Sequence, residues 1–220
     1  MTAADDKKAT GTVQTILGDG SINKIKFTIG KWTISPELYK KVDKAITAKE
    51  ITVIVAPSAL GNGVAGKYFS TLTIDKDNEW YDVLILGKPD LGQTLNEQFA
   101  AAQTVVHECT HAGLDILKLD KMTHLDHEAI AYAADAIFAV AKMLALKGNP
   151  NKVNITESIR KAAWDIGLLV VNQNKGIPKA LLTALNAAIS QDPNYKATAS
   201  DIVKNDGVGH KWKIGGRLEK

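Results

Sequence analysis

The sequence predicts an α+β fold in which a small mixed sheet packs on one long helix and a helical lobe follows. Three observations lead there. Over residues 11–92, short runs rich in β-branched residues are separated by turns containing Gly, Asp and Asn, the pattern of strands. Over residues 93–190 apolar residues recur at three- and four-residue intervals, the period of helices. With 220 residues and 45% hydrophobic content, the chain can bury one sizeable core, so residues 11–220 are expected to form a single domain.

Residues 1–10 are polar and read as a disordered tail. Thr12–Leu17 and Ile22–Ile29 read as two strands joined by Gly18-Asp19-Gly20, a hairpin. Ser35-Pro36 then opens a helix with Leu38, Val42 and Ile46 as its buried stripe, since proline suits the first helical position. Ile51–Val55 is a β-branched run expected to be a strand buried on both faces. After a Gly-rich loop over 58–66, Tyr68–Ile74 and Trp80–Leu86 flank an Asp75–Asn78 turn and read as a second hairpin. A sheet of four to five strands is therefore expected.

The period changes after residue 90. Thr94 and Glu97 have the spacing of a capping box, and Leu95, Phe99, Ala102, Val106, Cys109 and Gly113 continue a helix over 94–118. A second helix, Leu125–Leu146, is apolar nearly all round and stops at Gly148-Asn149-Pro150, which places it at the centre of the helical lobe. Two more follow, one over 155–172 capped by Asn154, and one over 178–190. Residues 191–220 lack periodicity and are expected to wrap the surface as an irregular segment.

Composition narrows the functions open to this fold. The net charge is +3, and residues 196–220, with six Lys or Arg against three Asp or Glu, carry the excess. The body is neutral, which argues against a nucleic-acid binder. The single cysteine, Cys109, forms no internal disulfide and lies on the apolar stripe, so it reads as a small core residue. No run reaches the length of a membrane span, and the start carries no signal-peptide pattern. The expectation is a soluble cytoplasmic protein, although export without a cleavable signal would leave the same sequence.

One segment points to chemistry. His107-Glu108-Cys109-Thr110-His111 places two imidazoles four residues apart on a helix, about 40° apart around its axis, where both can grip one metal ion. Glu108 then lies close enough to take a proton from a metal-activated water. With five His and eight Glu in the chain, chance would produce this pattern in about 0.4% of sequences of the same composition. Four of the five histidines, His107, His111, His124 and His127, also fall in one 21-residue window.

A catalytic zinc usually takes three protein ligands and a water. The following helix offers Glu128 as the third, with His124 one turn earlier and His127 adjacent as alternatives. Glu128 is preferred because Glu128, Tyr132 and Asp135 form a polar stripe on an oily helix, and an unpaired buried carboxylate is costly. The plainer readings are a pair of solvated helix-face histidines, and for Glu128 a first-turn carboxylate favoured by the helix dipole.

Taken together, Val105–Ala112, the downstream Glu128-x-x-x-Tyr132, the strand at Trp80–Leu86 and the strand-rich first part resemble the zincin metallopeptidases of the gluzincin type, in particular compact bacterial members. The resemblance covers residues 50–140. It implies a zincin-like fold, zinc held by His107, His111 and Glu128, and Glu108 as general base in peptide-bond hydrolysis. The chain departs from that group at Tyr132, where an aspartate supporting a zinc-bound histidine is expected; Asp135, one turn later, and Asp115, one turn after His111, are the candidate supports. Tyr132, His127 and His210 are candidates to polarise the substrate carbonyl. The Trp80–Leu86 strand is expected to hold a peptide substrate by adding it to a sheet edge. A zincin-like module that binds metal or a protein partner without catalysis is the alternative, and a nucleic-acid-associated protein using the basic tail is a third reading. Retention of Glu108 favours the enzyme, since a purely structural site has no use for a base beside its metal.

Overall fold

In the computed structural model, which describes residues 2–61, 64–70, 73–75, 78–119, 121–173, 176–209, 213–214 and 217–218, the chain begins with a helix, α1 (Ala3–Leu17). The expected tail and first strand are thereby corrected. Thr2 and Asp5 form a reciprocal capping box, Thr2 Oγ1 accepting from the Asp5 amide at 3.3 Å and Asp5 Oδ2 from the Thr2 amide at 2.9 Å. Ala9, Val13, Ile16 and Leu17 are buried, a spacing that lines one helical face. The β-branched residues between 12 and 16 suggested a strand, but burial of that face against the sheet outweighs their weak local preference.

The elements that follow are β1 (Phe27–Ile29), β2 (Trp32–Ile34), α2 (Pro36–Thr47), β3 (Thr52–Val55), β4 (Gly66–Phe69), β5 (Thr73–Asp75), β6 (Asn78–Trp80) and β7 (Val83–Leu86). Next come α3 (Leu95–Ile116), β8 (Met122–Thr123), α4 (His124–Ala145), α5 (Ser158–Gln173), α6 (Lys179–Gln191), β9 (Ile202–Val203), β10 (Lys213–Ile214) and β11 (Arg217–Leu218). The chain is therefore α+β, with small sheets. No helix among the described residues is long and apolar enough to cross a membrane. The elements sort into two compact units, one of residues 1–18, 38–120 and 204–220, the other of residues 19–37 and 121–203.

In the first unit β3 runs parallel to β7, with Thr52 opposite Val83, and β4 runs antiparallel to it, with Gly66 opposite Leu86. The mixed sheet is as expected, but among the described residues it has three strands, in the order β3-β7-β4. The expected second hairpin pairs antiparallel in two stretches, β4 with β7 and β5 with β6, separated by a break. Asp82 explains the break, since its left-handed backbone (φ 52°) interrupts the extended run between Trp80 and Val83. β7 is the middle strand and all four of its residues are buried. An extended peptide cannot add to an interior strand, so Trp80–Leu86 is not the sheet edge expected to hold a substrate.

Helix α1 packs on β3, and Asp6 Oδ1 accepts from the Val55 amide at 2.8 Å. Helix α3 packs on β4. That approach depends on Gly66, where a Cβ would stand 2.9 Å from Thr104 Cγ2. The expected capping box starts α3: Thr94 Oγ1 accepts from the Glu97 amide, and Glu97 Oε2 from the Thr94 amide at 2.9 Å.

In the second unit the hairpin of this region is β1–β2, closing at Gly30 (φ 58°) with Phe27 opposite Ile34. It does not close at Gly18–Gly20, where α1 ends and a 3₁₀ turn begins. Helix α4 is buried at every position from His127 to Ala141, as its oily circumference predicts, and α5 and α6 pack on it. Gly167 permits the α5 contact, since a Cβ there would lie 2.8 Å from the Ala136 carbonyl oxygen. Helix α5 starts at Ser158 instead of at Ile155, so Asn154 is not its cap. The two-residue pair β8–β9 sets Met122 opposite Val203 and brings the chain after α6 back to the start of α4.

Candidate metal centre

Helix α3 carries the motif. Its geometry puts His107 and His111 on one face, ring centroids 4.8 Å apart and planes at 80°. Cys109, between them, is fully buried and burial pushes its thiol pKa upward, which agrees with a core role. On α4, Glu128 is buried, as is His111 on α3. His107, His111 and Glu128 each offer one ligand atom, and these atoms lie within 4.8 Å of one another, close enough to bind one metal ion.

The donor chemistry fits that reading. Two imidazole nitrogens and one carboxylate oxygen form a set suited to a first-row divalent ion. Ligand atoms bonded to tetrahedral zinc at about 2.0–2.1 Å stand about 3.3 Å apart, and the three atoms here lie within 4.8 Å of one another. Among the described residues, His124 and His127 lie outside the group. Helix geometry separates the two: His127 is adjacent to Glu128 and points about 100° away, whereas His124 is one turn earlier on the same face. His124 Nε2 in fact stands 3.4 Å from Glu128 Oε1.

Glu108, the motif carboxylate, is held from the sheet. Its Oε2 accepts the backbone N–H of Tyr68 on β4 at 2.8 Å. The same tyrosine donates its hydroxyl to Asp115 Oδ2 at 3.0 Å and stands 3.5 Å from Asp82 Oδ1. Tyr68 thus ties Glu108 to the last turn of α3. Sequence reasoning missed it, because a tyrosine in a strand looks like any half-buried aromatic and nothing in its neighbours marks it.

Asp115 is fully buried, and its Oδ1 accepts the Gly207 amide at 3.0 Å. What it braces is β4 and the segment after residue 203. Burial pushes its carboxyl up to about 6; the charges of Asp82 and Asp206 add to the rise, and the bonds from Gly207 and Tyr68 oppose it. A folded value above the ordinary 3.8 means the fold binds this proton more tightly than the unfolded chain does. The associated stability is complete below about pH 4 and is lost as pH rises through about 6. In metal-free buffer with chelator, wild type should therefore lose about 2 kcal/mol relative to Asp115→Asn between about pH 4 and pH 7. Urea unfolding of both proteins across that range measures the difference, and a flat difference would show an ordinary carboxyl.

The other candidates sit as follows. Tyr132, one turn beyond Glu128, is buried and shares a 2.9 Å hydrogen bond with the hydroxyl of Tyr195; burial raises its phenol pKa. Asp135 is buried further along α4, and His127 is buried beside Glu128. His210 lies outside the described residues. Tyr195 and Thr198, which had no motif to announce them, meet Tyr132 and His124 respectively.

Fold and site define a class only broadly, as an α+β protein with a candidate His–His–Glu metal centre. Compared with protein-family models, with curated proteins and with solved structures, the chain finds no match.

Proposed function

We propose that this chain is a zinc-dependent metallopeptidase of the zincin type, and that it hydrolyses peptide bonds with Glu108 as general base. The observation that carries the proposal is the joint placement of the His107, His111 and Glu128 ligand atoms and of a motif carboxylate pinned by a strand amide. A structural metal site needs the first of these and has no use for the second. A bound zinc ion would supply Lewis acidity, lowering the pKa of a coordinated water toward about 7 and polarising a carbonyl oxygen. The chain supplies the remainder. Glu108, held by the Tyr68 amide, takes a proton during attack and returns it to the leaving amine. The hydrogen bond from the Tyr68 amide also limits rotation of the carboxylate, and a base held in place contributes more than one that must be gathered.

The experiment is metal analysis by mass spectrometry of protein purified without added metal, followed by cleavage of unfolded casein and of a quenched peptide library with and without chelator. About one zinc per chain and chelator-sensitive cleavage are expected. Protein without metal at neutral pH, after incubation with zinc, would overturn the proposal.

A further inference from the structure

We infer that His124 and Thr198 are positioning residues that set the Glu128 carboxylate for metal; the inference rests on Glu128 being a ligand. The first turn of α4 is clamped by the chain that precedes β9. The amides of His124 and Leu125, which have no partner within the helix, donate to the carbonyls of Asp201 at 2.7 Å and Ala199 at 3.0 Å. Inside that clamp Thr198 Oγ1 stands 2.8 Å from His124 Nδ1, nearer than the Tyr195 carbonyl oxygen at 3.3 Å. The hydroxyl donates to Nδ1 along the shorter contact, which leaves the ring proton on Nε2. The Tyr195 ring flanks the imidazole, centroids 5.9 Å apart, and its hydroxyl is fastened to Tyr132.

The imidazole is thus held at one nitrogen and along one side, and its remaining nitrogen, Nε2, is the atom 3.4 Å from Glu128 Oε1. The consequence is mechanical. A buried glutamate has three rotatable torsions, and an outer partner that restricts them reduces the entropy lost when the carboxylate takes up a metal. Histidine four residues before a ligand is usually read as a competing ligand; here the Thr198 contact turns it into the ligand's support.

The test is zinc affinity measured by competition with a chromophoric chelator at a temperature well below unfolding. Thr198→Val, which keeps the shape and removes the hydroxyl, should weaken zinc about 10-fold, His124→Phe about 10- to 100-fold, and Thr198→Ser should restore wild-type affinity. Melting of each apo protein in chelator is the control. Variants that bind zinc as wild type does, whether or not their apo forms melt lower, would overturn the inference and leave a structural role. Glu128→Ala in the same series separates the two claims: if it too binds as wild type, the ligand assignment is what has failed.

Discussion

Glu108→Gln should bind zinc with wild-type stoichiometry and lose kcat by about 10³-fold, within the range general-base catalysis contributes. The substitution is close to isosteric. Its amide oxygen can still accept the Tyr68 N–H that now meets Oε2, so strand and helix keep their spacing. What the glutamine cannot do is take a proton. The effect should therefore fall on kcat and leave the chelator-competition zinc affinity unchanged, and the pair of measurements tells a lost base from a disturbed site. Wild-type turnover by the variant would refute the assignment of the base.

Removing a ligand should do the reverse. His111→Ala and Glu128→Ala each delete one of the three gathered donor atoms, and zinc affinity should fall by more than about 100-fold, beyond what the loss of an outer partner causes. The loss has a second readout in stability. Zinc at about 100 times its Kd stabilises a folded protein by about 2.7 kcal/mol through mass action, which in a chain of this size raises Tm by about 5–10 °C. Wild-type protein should show that shift when zinc is added to chelator-treated samples, and neither variant should. A zinc-induced shift of equal size in all three proteins would mean that the ion binds elsewhere.

Legibility followed the range of the interactions. The capping box of α3, the oily circumference of α4 and the proline start of α2 were all readable, since each depends on residues within one or two turns. The first strand was misread because Thr12 to Ile16 satisfies a strand preference locally while Ala9, Val13, Ile16 and Leu17 satisfy a helix face, and the packing against β3 that selects between them is 40 residues away in sequence. Asp82 is a similar case. Its positive φ splits the Trp80–Leu86 run, and no residue type there announces it as glycine would.

By itself the sequence determined that two imidazoles and a carboxylate share one helix at 107, 108 and 111, because 3.6 residues per turn sets that geometry wherever the helix lies. It also narrowed the third donor to the first two turns of the next helix. Only the tertiary structure set Glu128, and not His124 or His127, in the group that could hold a metal, placed β7 in the interior of its sheet, and brought Tyr68 to Glu108 and Thr198 to His124. Those pairs are separated by 40 and 74 residues. Their meeting depends on how whole elements bury their apolar faces, a sum over many contacts that no local pattern contains.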